Sequence, residues 1–196
     1  MTCLAHGLHN FAEAIRKKWN VFSQFMEYFF EFLETAKGRQ SYKTQTNLPL
    51  PPTPVLSRWG TWIKAAVFFV QNWSRISEFI LTNNLEKLDK LAFSTQIEED
   101  ANIILSFSFL PESILAIEAN DLPVLAQIKI IQQVRNKIYD DDLIKKFDNI
   151  NETNPGYVFF KDYSSLRPQY KHLHYAPLTT CDVERSFSGL KALLSD

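Results

Sequence analysis

Four histidines and two cysteines are the side chains of this sequence best suited to ligate a borderline metal, and they fall into two groups. Cys3 and His6 form a Cys-x-x-His step with His9 one turn further on, while His172, His174 and Cys181 lie far downstream. These are zinc ligand types, but a structural zinc site presents two tight pairs at a defined separation, and the downstream group has no such spacing. Buried or capping roles fit these residues better. Acids cluster at Glu98-Glu99-Asp100 and at Asp140-Asp141-Asp142. A hydrolase draws paired carboxylates from different elements to hold a metal or move a proton. Neighbouring acids on one helix point away from each other, so caps and solvated faces account for both clusters. Gly-x-Ser-x-Gly, the phosphate loop, the dinucleotide fingerprint and His-Glu-x-x-His are all missing from the sequence.

The elements that would position these residues are helices. Leu8, Phe11, Ile15, Trp19, Phe22, Met26, Phe29 and Leu33 recur at steps of three or four, which predicts two helices meeting near Asn20 and ending near Ala36. Arg16, Lys17 and Lys18 suit a helix C-terminus, and Asn20 suits the cap of the next helix. Residues 37–54 carry Gly38 and four prolines among polar residues and read as an extended connector, with a short strand expected at residues 55–57. Trp59, Trp62, Ala66, Phe69, Trp73, Ile76 and Ile80 predict a helix over residues 58–81. An aromatic stripe at this spacing is core packing before it is a base-stacking platform. Further helices are expected over 85–93, 97–109, 111–119 and from Asp121 to the acidic triplet, which opens another. Residues 149–177 read as loop with a short strand at 157–160, and residues 180–194 as a last helix.

The composition agrees with this reading: 196 residues, 16 Phe and only 5 Gly favour aromatic-filled helices over sandwiches and glycine-rich phosphate loops. No uninterrupted apolar run approaches the ~18 residues of a membrane span, and the N-terminus lacks the pattern of a secretory signal. A protein that is neither secreted nor membrane-bound is expected, and two cysteines fit a reducing compartment. Residues 1–75 hold 9 Lys+Arg against 4 Asp+Glu, and residues 76–160 hold 7 against 14. A basic first part followed by an acidic middle could meet phosphate with its first part, although an excess of this size is also an ordinary solvated face.

Three motifs together resemble a known family. They are Cys3-Leu-Ala-His6-Gly-Leu-His9, then Pro54-Val-Leu-Ser-Arg58-Trp59-Gly-Thr-Trp62, then Pro177-Leu-Thr-Thr-Cys-Asp-Val-Glu184-Arg185-Ser-Phe187-Ser188. In this order they resemble the hAT superfamily of DNA transposases. The resemblance implies a Cys-x-x-His helix, an Arg-Trp corner where an RNase H-like core meets an inserted helical domain, and a Glu-Arg-x-Phe-Ser helix. It therefore implies a mainly α chain: residues 1–57 as remnant core helices, 58–176 as the helical insertion domain, and 177–196 as the Glu-bearing core helix, with few or no strands.

In intact members two Asp and one Glu hold magnesium for in-line phosphoryl transfer. The resemblance makes Glu184 the third carboxylate, places Arg58, Trp59 and Arg185 toward DNA, and gives Cys3 and His6 a structural role. Both Asp positions precede the Cys-x-x-His helix in the family, so the expectation here is a chain truncated at both ends, with no cofactor and no catalytic competence of its own. Weak DNA binding, association with itself or with another transposase-like protein, and a nuclear location are what the resemblance leaves. The alternative from the residues alone is a helical protein-interaction module, and a further one is a piece of an active transposase. In the resembled fold Glu184 would lie near the Arg58-Trp59 corner.

Overall fold

Apolar residues three and four apart wind into α1 (Leu4–Lys18) and α2 (Asn20–Glu34), interrupted at Trp19. The computed structural model describes residues 4–55, 60–119 and 122–153. Trp19 leaves helical geometry at φ −105° and ψ 66°, so it, and not Asn20, is the cap of α2. The buried Ser23 hydroxyl donates to the carbonyls of Arg16 and Trp19 at 3.1 and 3.2 Å, which satisfies acceptors at the junction.

The connector expected from residue 37 onward is instead mostly helix, α3 (Ala36–Thr46). Thr35 caps it by accepting from the Gly38 amide at 2.9 Å. The helix stops at Asn47, which takes the left-handed conformation at φ 52°, and the prolines begin only after that. Polar composition had disguised a helix that Gly38 and the later prolines do not interrupt. Residues 48–54 form no helix or strand, and Val55 is a bridge residue whose amide donates to the Thr61 hydroxyl at 2.7 Å, while residues 56 and 57 of the expected strand lie outside the described residues. No longer strand occurs among the described residues.

The helix expected over 58–81 is divided into α4 (Gly60–Gln71) and α5 (Trp73–Thr82). Asn72 marks the break by turning its side-chain amide back onto the Phe68 carbonyl at 2.8 Å, which competes with helix continuation. There follow α6 (Glu86–Ala92), α7 (Thr95–Ser106), α8 (Leu110–Glu118), α9 (Val124–Asn136) and α10 (Asp141–Glu152). The chain is thus mainly α, as its periodicity predicts. Asp140 caps α10, its carboxylate accepting from the Leu143 amide at 2.9 Å. The helix extends beyond the expected loss of pattern at residue 149 because Ile150 and the buried Asn151 still face inward.

Two compact units can be described separately. One contains residues 12–111, where α2 packs on α3, α6 and α7, α4 on α5 and α7, and α5 on α3 and α6. Its centre is aromatic. The fully buried Phe29 ring lies 5.0 Å from Phe69, 5.7 Å from Tyr42 and 5.9 Å from Phe25, with Phe32 and Phe79 beyond. Trp62 is buried and Trp73 half-buried against Phe25 at 5.1 Å, so the described tryptophans of the stripe serve packing. The other unit contains the described residues of 1–11 and 112–196. There Phe11 meets Phe147 edge-on at 5.0 Å, and Arg135 binds Asp148 through two hydrogen bonds of 2.7 and 2.8 Å that join α9 to α10.

The stretch Thr95–Glu118 has the length and mean hydropathy of a membrane span, contrary to the expectation that nothing came close. It is nevertheless α7 and α8 separated by a turn at residues 107–109, and Ile97, Ile104, Phe107, Leu110, Ile114 and Ile117 are buried in the protein. Part of its apolar surface is thus used in packing, while Ile103 and Leu115 are exposed.

Candidate functional site

Of the residues to which the resemblance gives a role, His6 alone is described; it is exposed on α1. Cys3, Arg58, Trp59, Glu184 and Arg185 lie outside the described residues, as do the strand expected at 157–160, the last helix and the approach of Glu184 to Arg58-Trp59. His9 takes the bland role: its Nε2 lies 3.1 Å from Oε1 of Glu118 on α8, and its ring is 12% exposed. Among the described residues no three of His, Cys, Asp and Glu are close enough to hold a metal ion. No described set of acids therefore fits the magnesium that the resemblance implies.

The acidic triplet of α7 divides. Glu98 and Glu99 are solvated as expected, but Asp100 is buried, with one carboxylate oxygen accepting from Gln96 at 2.9 Å and the other without a hydrogen-bond partner. Reading the whole triplet as a solvated face is corrected at this residue. Asp100 points inward because the helical repeat places it with Ile97 and Ile104, both of which are buried.

Tyr42 is a second buried polar group. It is fully buried in the aromatic centre, its hydroxyl makes no hydrogen bond, and burial pushes its pKa up to about 12 despite an opposing influence from the Thr46 side chain. The folded protein thus keeps this proton at pH values where the unfolded chain, near pH 10, has released it, so fewer protons are bound on unfolding. Stability should fall as pH rises from about 10 through about 12. Alkaline denaturation curves are expected to flatten in Tyr42→Phe, whose stability at neutral pH should equal or exceed the parent's because the hydroxyl has no partner to lose. An unchanged alkaline slope would show that other groups set it.

The concave feature with the most chemistry lies in the unit of residues 12–111, between α2 and the segment after α3. One hollow of about 590 Å³ has Met26, Phe30, Pro54 and Trp62 in its wall, and Glu27, Glu31 and Glu34 along its α2 edge. A smaller one of about 260 Å³ adds Leu33, Leu50 and Pro51. The two share Phe30, Glu34 and Thr53 and so form one groove.

Two arginines also line the groove, and both are engaged. Arg16 forms a double hydrogen bond with Glu13, from Nε at 2.7 Å and Nη2 at 3.0 Å, and this holds the Glu13 carboxyl below its ordinary range. Its Nη1 reaches Glu27 only at 4.0 Å. Arg39 donates from Nη1 to the carbonyls of Leu33 and Glu34, both at 2.8 Å, and so caps the C-terminus of α2. Glu31 and Glu34 are exposed and enter no ion pair among the described residues. The groove therefore combines apolar walls with two carboxylates, Glu31 and Glu34, that have no ion-pair partner among the described residues.

No protein-family model matches the chain, and no curated protein and no solved structure matches it either.

Proposed function

We propose that this chain is a transposon-derived, hAT-transposase-like helical fragment that acts by binding and does not cleave DNA itself. The observation that carries the reading is the ordered motif set ending at Cys3-x-x-His6, Arg58-Trp59 and Glu184-Arg185-x-Phe187-Ser188. The helices α4 to α10 lie within residues 58–176, the stretch that the resemblance assigns to an insertion domain. The family's reaction uses three acids, and the resemblance supplies a counterpart for one, Glu184. On this reading the protein works in the nucleus.

The alternative, a helical module retained for protein recognition, is favoured by the groove beside α2, whose free carboxylates repel phosphate. Weak DNA association then falls to cations such as Lys37, Lys43, Lys64 and Arg75, which are exposed and spread over α3, α4 and α5. Dispersed surface cations give non-specific binding that weakens steeply with salt.

The test is incubation of the purified chain with supercoiled plasmid and with end-labelled duplexes in magnesium or manganese. The expected result is no nicking or joining, and a DNA mobility shift that disappears as salt is raised. Metal-dependent nicking that is lost in Glu184→Gln would overturn the reading.

A further inference from the structure

We infer that the groove beside α2 is a docking site for a short cationic segment of a protein partner, one that carries an apolar anchor. The inference rests on the reading of the chain as a binding protein and names the chemistry of what it binds. Three observations combine. The groove walls are apolar at Met26, Phe30, Pro54 and Trp62, which suits an aliphatic or aromatic side chain. One edge carries Glu27, Glu31 and Glu34; Glu27 pairs with Arg16 at 4.0 Å and Arg39 binds the carbonyls at the end of α2, while Glu31 and Glu34 are exposed and enter no ion pair among the described residues. Both hollows lie within one compact unit, so the groove is made by a single packed body.

Charge complementarity selects the occupant. A nucleic acid would set phosphate against free carboxylates, and an acidic peptide would do the same, whereas Lys or Arg would find partners along the edge.

The experiment is fluorescence anisotropy with a labelled synthetic peptide that alternates Lys with Leu, and with a control peptide in which Glu replaces Lys. The full chain is compared with Glu31→Gln/Glu34→Gln and with Thr53→Arg. All three changed residues are exposed, so the fold is retained, and circular dichroism checks this. The Lys peptide is expected to bind, to weaken with salt and to lose about tenfold in affinity to each variant; the Glu peptide is expected not to bind. Equal affinity for parent and double variant would overturn the proposal. So would parent self-association that the variants abolish, which would make the occupant a second copy. Nicking of plasmid would defeat the proposed function whatever the peptide does. Peptide binding that ignores the groove variants would defeat the docking site alone.

Discussion

Phe29→Ala is expected to destabilise the protein by about 3–5 kcal/mol. Phe29 is fully buried on α2, and its ring stands within 6.5 Å of the rings of Phe25, Phe32, Tyr42, Phe69 and Phe79. These rings come from α2, α3, α4 and α5, so removing Phe29 leaves a void where four helices meet. Rings on different elements cannot all close on the same void without shifting their own helices. The edge-on geometry to Tyr42 and Phe69, with interplanar angles of 85° and 78°, adds a directional component that an aliphatic replacement lacks. Urea denaturation should therefore show a large fall in midpoint for Phe29→Ala and a smaller one for Phe29→Leu, which retains most of the volume. A loss under about 1 kcal/mol for the alanine variant would mean that this centre is loosely packed.

Phe29 and Phe69 were legible in the sequence because both fall on apolar repeats of three and four, whereas Phe25, Phe32 and Phe79 lie off those stripes and Tyr42 sits in the stretch that reads as a connector. α3 itself was not legible. Its residues are polar, it contains glycine, and four prolines follow, so the pattern of a connector hid it. The informative signal was the pair Asn47 and Pro49, a left-handed cap with proline two residues on, which marks where a helix ends. The break at Asn72 was hidden for a different reason: apolar spacing continues across it, and only the side-chain bond to the Phe68 carbonyl shows that the backbone has changed course.

The candidate site divides along similar lines. The Cys-x-x-His, Arg-Trp and Glu-Arg motifs are local strings and could be read, but Cys3, Arg58, Trp59, Glu184 and Arg185 lie outside the described residues. The groove could not be read at all. Glu27, Glu31 and Glu34 look like any solvated helix edge until residues 50–54 are seen running past them, and that placement depends on α3 turning the chain back. The inward position of Asp100 was within reach of the sequence, since it stands three residues after Ile97 and four before Ile104 on the buried face of α7.

The tight turn between α2 and α3 makes the remaining large prediction one of sign. Gly→Ala inside a helix ordinarily gains up to about 1 kcal/mol, because alanine restricts the unfolded chain and suits the helix. Gly7 on α1 should behave this way: a methyl group there would meet Asn151 Oδ1 at 3.4 Å and Ile150 Cγ2 at 3.5 Å, which are ordinary contacts. Gly38 should reverse it. A methyl group there would stand 2.2 Å from the Phe32 carbonyl oxygen and 2.8 Å from Thr35 Oγ1. The first is backbone and cannot rotate away, and the second is the hydroxyl that caps α3 through the Gly38 amide itself. Relief requires α3 to move off the end of α2, which would also strain the Arg39 bonds to the Leu33 and Glu34 carbonyls. Gly38→Ala is thus expected to lose about 1–3 kcal/mol or more. Thermal unfolding of the two variants should shift in opposite directions from the parent. A stabilised Gly38→Ala protein would show that the turn between α2 and α3 is wider than this close approach requires, and would remove the reason for a glycine at that position.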